Sequence, residues 1–170
     1  QEAHIEQLKL YFRLGLPAEP DDDIRALGGF LTELKSRCPG VAVKASVGIF
    51  VPKPATPFQW APMVVEPELT RRLVLARQAL SKLRKVSFDL DAPGEALIQA
   101  LLARGGAPLF PVLEALAVKG PKLKPLLKGL RAQEIDPDLL WSERPSEARF
   151  PWELFDFGLS RKKLWKRWTE

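Results

Sequence analysis

The chain has 170 residues, 46% of them hydrophobic, with 26 basic against 21 acidic side chains, a formal charge of +5 and one cysteine. That length and apolar content suffice for a full domain with a packed core and an appended region. One cysteine excludes a disulfide framework. The one histidine, His4, excludes a Ser-His-Asp or Cys-His centre unless that residue near the terminus is the base.

Residues 8–14, Leu8-Lys9-Leu10-Tyr11-Phe12-Arg13-Leu14, are rich in Leu and aromatics and stop at Gly15-Leu16-Pro17, which suits a strand better than a helix. Asp21, Asp22 and Asp23 then supply acceptors and negative charge where a helix should begin. Ile24, Leu27, Leu31 and Leu34 recur at spacings of three and four, and that helix should end near Cys38-Pro39-Gly40. Val41, Val43, Val47, Ile49, Phe50 and Val51 make a second β-branched run, and Pro52 and Pro54 mark where regular pairing must stop.

Strand, helix, strand is the grammar of parallel pairing, and the right-handed crossover puts both strand ends at one edge. Ligands of α/β folds bind at that edge. The 15–19 turn and the 52–60 loop are therefore expected side by side at a functional rim.

Further on, Leu69, Leu73, Ala76, Leu80 and Leu83 alternate by four and three across residues 66–85, with Arg71, Arg72, Arg77, Lys82 and Arg84 mostly off that face. This predicts a surface helix. Residues 86–90 read as a short strand, and Asp91, Pro93 and Glu95 open a helix that Gly105 closes. Another helix runs from about Pro111 to Lys119 and stops at Gly120. The predicted organisation is an α/β part over 1–85 and a small, mainly helical region over 86–170.

The basic excess is concentrated. Residues 115–133 hold Lys119, Lys122, Lys124, Lys128 and Arg131 with no acidic residue, and the C-terminal segment adds Arg161, Lys162, Lys163, Lys166 and Arg167 interleaved with Trp165 and Trp168. Cations neutralise phosphates and aromatic faces stack on unpaired bases, so Lys122, Lys124, Lys128, Arg161, Lys162 and Lys166 are candidates for an RNA-contacting surface. The same residues are also explained as solvated helix faces, with Leu164 and Trp168 packed inward.

Two strings carry a resemblance. The first is Leu8-Lys9-Leu10-Tyr11-Phe12-x-Leu14-Gly15-Leu16-Pro17-x-Glu19-x-Asp21-x-Asp23-Ile24, and the second is Phe50-Val51-Pro52-Lys53-Pro54-x-Thr56-Pro57-Phe58-Gln59-Trp60. Together they resemble the last third of the catalytic barrel of radical S-adenosylmethionine enzymes, in the subgroup of iron-sulfur oxidoreductases that often carries a cobalamin-binding-like domain upstream. Arg104-Gly105, Phe150-Pro151-Trp152-Glu153 and Asp156-x-Gly158-Leu159-Ser160 fit the same subgroup. The resemblance implies the C-terminal portion of a partial (β/α) barrel followed by a mainly helical appendage. It implies S-adenosylmethionine and a 4Fe-4S cluster in the complete enzyme, with cobalamin as a further cofactor of the subgroup. By the same resemblance Gly15 and Glu19 lie near the S-adenosylmethionine, and Phe50 and Val51 flank its adenine.

The cluster-binding Cys-x-x-x-Cys-x-x-Cys loop of that family is absent, since Cys38 stands alone and falls at the edge away from the rim. The resemblance therefore implies a partner, a cluster-bearing N-terminal half in the same or a separate chain. Ala55 stands where the loop commonly has His, and Gly106-Ala107-Pro108 follows Arg104-Gly105 where Asp and Arg are usual. The alternative is thus a truncated or degenerate non-catalytic module whose basic helices bind RNA or a protein partner. No apolar stretch approaches the roughly 18 residues of a membrane span. With no signal peptide ahead of Leu8, a cytoplasmic protein without a membrane partner is expected.

Overall fold

The computed structural model describes residues 4–65, 67–120 and 122–170. The strands are β1 (Gln7–Leu14), β2 (Ala42–Ile49) and β3 (Val86–Leu90). The helices are α1 (Asp21–Arg37), α2 (Glu68–Leu80), α3 (Pro93–Arg104), α4 (Phe110–Lys119), α5 (Leu123–Ala132) and α6 (Arg161–Thr169). They divide between two compact units, Gln1–Phe50 with Val64–Asp91, and Val51–Met63 with Ala92–Glu170.

The first unit is an α/β structure with a three-stranded sheet in the order β1-β2-β3, parallel throughout. Leu10, Ala45 and Phe88 stand in one row of the register, and Phe12, Val47 and Leu90 in the next. These residues form one apolar face, covered by Ile24, Leu27 and Leu31 of α1 and by Leu73, Ala76 and Leu80 of α2. Both helices therefore lie on the same face. The sheet extends past residue 85, because β3 pairs with β2 from Val86 to Leu90.

Burial in β1 alternates strictly, with Lys9, Tyr11 and Arg13 exposed between the inward Leu10, Phe12 and Leu14. Parallel strands covered on both faces read instead as unbroken apolar runs, so this alternation marks a sheet with a single packed face. Helices α1 and α2 approach closely because Gly28 has no side chain: a Cβ there would lie 2.8 Å from the Ala79 carbonyl oxygen.

Two local expectations are corrected. Residues 66–85 were predicted as one helix; its start at Glu66 falls outside the described residues, and α2 ends at Leu80. The periodicity ran on because Leu83, beyond the helix, turns back onto the same core, and Lys85 then takes a left-handed φ of 62°. The aspartates at the start of α1 do not cap it, since the cap position is Pro20 and no side chain bonds the free amides. They act as charges instead. Arg71 forks onto Asp21 with bonds of 2.6 and 2.7 Å, and Arg25 reaches Asp22 at 2.8 Å.

That ion network sets a pH response. Hydrogen bonds from Arg71 and then Arg72 hold the Glu68 carboxyl down at about 2, against an ordinary 4.5, and Arg71 also holds Asp21 below its ordinary value. The folded pKa is depressed, so the contribution is complete above pH 4.5 and disappears as the pH falls toward about 2. The unfolding midpoint should be level down to about pH 5 and decline below it, less steeply in high salt because the groups are exposed. A midpoint that stays level through that window would contradict the network.

The second unit is mainly helical. Leu97 and Leu101 of α3, Val112 and Leu116 of α4, and Leu126 and Leu130 of α5 form one core cluster. A separate aromatic cluster joins Trp60, Phe150 and Leu164.

Candidate functional site

The Gly15 turn leaves β1 beside the end of β2, where the Phe50 amide donates to the Leu14 carbonyl at 2.7 Å. Gly15 has φ 86° and Ala18 φ 59°, so the chain doubles back through two left-handed residues. Glu19 closes the turn. Its Oε2 accepts from the Gly15 amide at 2.8 Å and from Arg72 Nη1 at 3.1 Å, while Arg72 Nε donates to Glu68 at 2.8 Å. The Glu19 side chain is 9% exposed and that of Arg72 15%, so these charge-assisted bonds form largely out of water.

Three of the four residues expected at the cofactor, Gly15, Glu19 and Phe50, are thus in the first unit, at the ends of adjacent strands. Val51 opens the second unit. Phe50 and Val51 are 7% and 6% exposed, so protein already covers most of both side chains. A carboxylate occupied by its own turn amide and an arginine positions the loop; it does not reach outward.

A layer of polar groups on the other face of the sheet was not evident from sequence motifs. Lys44 Nζ lies 2.8 Å from Asp89, the Ser46 hydroxyl donates to the same carboxylate at 2.6 Å, and Lys9 Nζ sits 4.7 Å over the Tyr11 ring. Lys44 and then Ser46 hold Asp89 below the ordinary aspartate range. Arg13 lies across Gly48, where a Cβ would meet its Nη1 at 2.1 Å, and Asp91 accepts from the Ile49 amide at 3.2 Å. The available signal was the alternation of Lys9, Tyr11 and Arg13 with leucine and phenylalanine.

In the second unit the Pro-rich loop is locked by Gln59, whose Oε1 accepts from the Ala55 amide at 3.2 Å and from Trp152 Nε1 at 3.0 Å. Trp60 is fully buried, with Trp165 edge-on at 5.1 Å and Phe150 at 5.9 Å. Arg161, placed by sequence among the RNA-contacting cations, stacks 5.7 Å over Trp60 and bonds to Glu153 and to the Ser146 and Ala148 carbonyls. Trp168 packs edge-on against Phe58 at 5.9 Å. Lys162 and Lys166 are exposed on α6, Lys166 lying 3.4 Å from Glu170.

Lys122 precedes α5 and is exposed. Lys124 and Lys128, with Lys119 of α4, line a groove of about 460 Å³ floored by Ala115, Pro125 and Gly129. Among the described residues no carboxylate lines that groove, and none of the α6 cations do.

Among the described residues no three His, Cys, Asp or Glu side chains gather as a metal site requires. The single cysteine, Cys38, caps the C-terminal end of α1, so the donor set of this chain does not fit an iron-sulfur cluster. Among the same residues no helix is long and apolar enough to cross a membrane.

Fold and turn together define an α/β unit with a parallel sheet and a glycine-glutamate turn at the carboxyl edge of its strands. The chain is 30% identical over 112 residues to uncharacterized protein MJ0966 of Methanocaldococcus jannaschii, a match taking in 65% of this chain and 24% of that protein. The chain thus spans about a quarter of the length of the curated relative it matches. No family model matches the chain, and no solved structure matches it.

Proposed function

We propose that this chain is the C-terminal part of a radical S-adenosylmethionine enzyme, in which it closes one side of the S-adenosylmethionine pocket while cysteines outside these residues hold the 4Fe-4S cluster. The observation that carries the reading is a parallel sheet with both helices on one face and a charged, hydrogen-bonded layer on the other. A barrel wedge has this arrangement, because barrel helices all lie outside and the other strand face looks inward. The Gly15 turn stands at the carboxyl edge, where such barrels bind ligands.

The part these residues take is cover and positioning. Gly15 presents backbone without a side chain, Phe50 contributes apolar bulk, and Glu19 with Arg72 holds the turn in its left-handed course. When bound, the cluster and S-adenosylmethionine would supply the radical chemistry. No residue described here carries a step of it. Cobalamin and a cytoplasmic location belong to the same proposal.

Anaerobic calorimetric titration of the chain with S-adenosylmethionine tests the reading. Weak saturable binding is expected, abolished by Gly15→Val, since a β-branched residue at φ 86° cannot keep the turn. Absence of saturable heat at millimolar ligand would overturn a preformed half-site.

A second reading, a non-catalytic module that binds RNA, is favoured by the groove lined by Lys119, Lys124 and Lys128. Salt-dependent retention of single-stranded RNA by a chain that gives no heat with S-adenosylmethionine would favour it.

A further inference from the structure

In the second unit, Arg104, Arg144 and Arg149 line a cleft of about 210 Å³ with Gly106 and Pro151, and among the described residues no carboxylate lines it. Arg104 is 3% exposed. Its Nη1 donates to the Ser142 carbonyl at 2.7 Å and its Nη2 to the Ala61 carbonyl, both neutral acceptors that fix the guanidinium plane without cancelling its charge. Its Nε is buried without a partner among the described residues. Burial, and then the neighbouring charge of Arg144, push Arg104 down to about 10. Arg144 is itself lowered by burial, which the field of Asp136 only partly opposes.

A cation buried among neutral acceptors, as Arg104 is, is costly unless an anion completes the set. Guanidinium forks match the oxygens of phosphate, and the charge of Arg104 together with that of Arg149 suits a doubly charged phosphate better than a single carboxylate. We propose that this cleft binds a phosphate group, carried as a phosphomonoester. Arg104, held by its two carbonyls, is the fixed donor at the base, while Arg149, exposed at the mouth, closes over the ligand. The cleft has room for a few atoms of the ester beyond the phosphate. This assignment is independent of the radical S-adenosylmethionine reading, as it uses neither the Gly15 turn nor the sheet.

The test is calorimetric titration of the full chain with inorganic phosphate at constant ionic strength, paired with thermal unfolding in phosphate and in chloride. Saturable binding and a rise in midpoint specific to phosphate are expected, with Arg149→Ala weakening the affinity about tenfold or more. Arg149 is exposed and lies outside the Arg104 carbonyl contacts, so this variant should keep its circular dichroism spectrum. A 5′-phosphorylated dinucleotide should compete where its unphosphorylated form does not. Equal effects of chloride and phosphate, unchanged affinity in Arg149→Ala, or equal competition by the two dinucleotides would each overturn the assignment.

Discussion

Trp60→Ala should destabilise the second unit by about 3–5 kcal/mol, the largest single-site effect expected in this chain. The indole is fully buried, meets Phe150 and Trp165 edge-on, and lies under Arg161, which ties Glu153 to the carbonyls of Ser146 and Ala148. Truncation opens a cavity between the 57–60 segment, Phe150 and α6, and the guanidinium loses the ring beneath it. The Trp60 Nε1 is buried without a partner among the described residues, which already offsets part of the benefit of burying the ring. Trp60→Phe removes that unpaired donor along with the lost volume, so it should cost less, about 1–2 kcal/mol. Urea unfolding followed by near-ultraviolet circular dichroism distinguishes the two. A loss below about 1 kcal/mol for alanine would mean that the aromatic cluster does not hold this unit together.

Glu19→Ala should cost about 2–3 kcal/mol in the first unit. It strips the acceptor from the Gly15 amide and leaves Arg72, 15% exposed, with Glu68 alone. Because Glu68 still holds Arg72 at 2.8 Å, the penalty stays below that of a fully orphaned buried charge. Glu19→Gln keeps an oxygen for the Gly15 amide and should lose about half as much. Equal losses for the two variants would assign the effect to the charge facing Arg72 rather than to the turn. No loss with alanine would overturn the clamp. Since the turn is the proposed contact with S-adenosylmethionine, glutamine should retain the weak binding that alanine loses.

Much of the fold was legible because it is local. The apolar alternation of residues 8–14, the three-and-four spacing from Ile24 to Leu34 and the breakers Gly15, Pro52 and Gly105 place β1, α1, β2 and α3 within a residue or two. The parallel pairing of β1 with β2 followed from the length of the connection between them. The candidate rim was legible only as positions. That Glu19 turns back onto Gly15 and Arg72, and that Phe50 and Val51 are covered, depends on residues far apart in sequence.

Charge shows the division most clearly. Lys124, Lys128 and Arg161 look alike in a list of basic residues, yet two line a surface groove while the third is consumed by carbonyls, a carboxylate and a tryptophan face. Residue type and spacing by themselves determined β1, α1, β2 and α3, the parallel unit and the position of the glycine turn, because backbone propensity and periodic burial act over a few residues. Only the tertiary structure decided which charges line a groove, which are spent, and which, like Arg104, are buried without a counterion among the described residues, because Coulomb energy and desolvation depend on neighbours that the chain brings together from a distance.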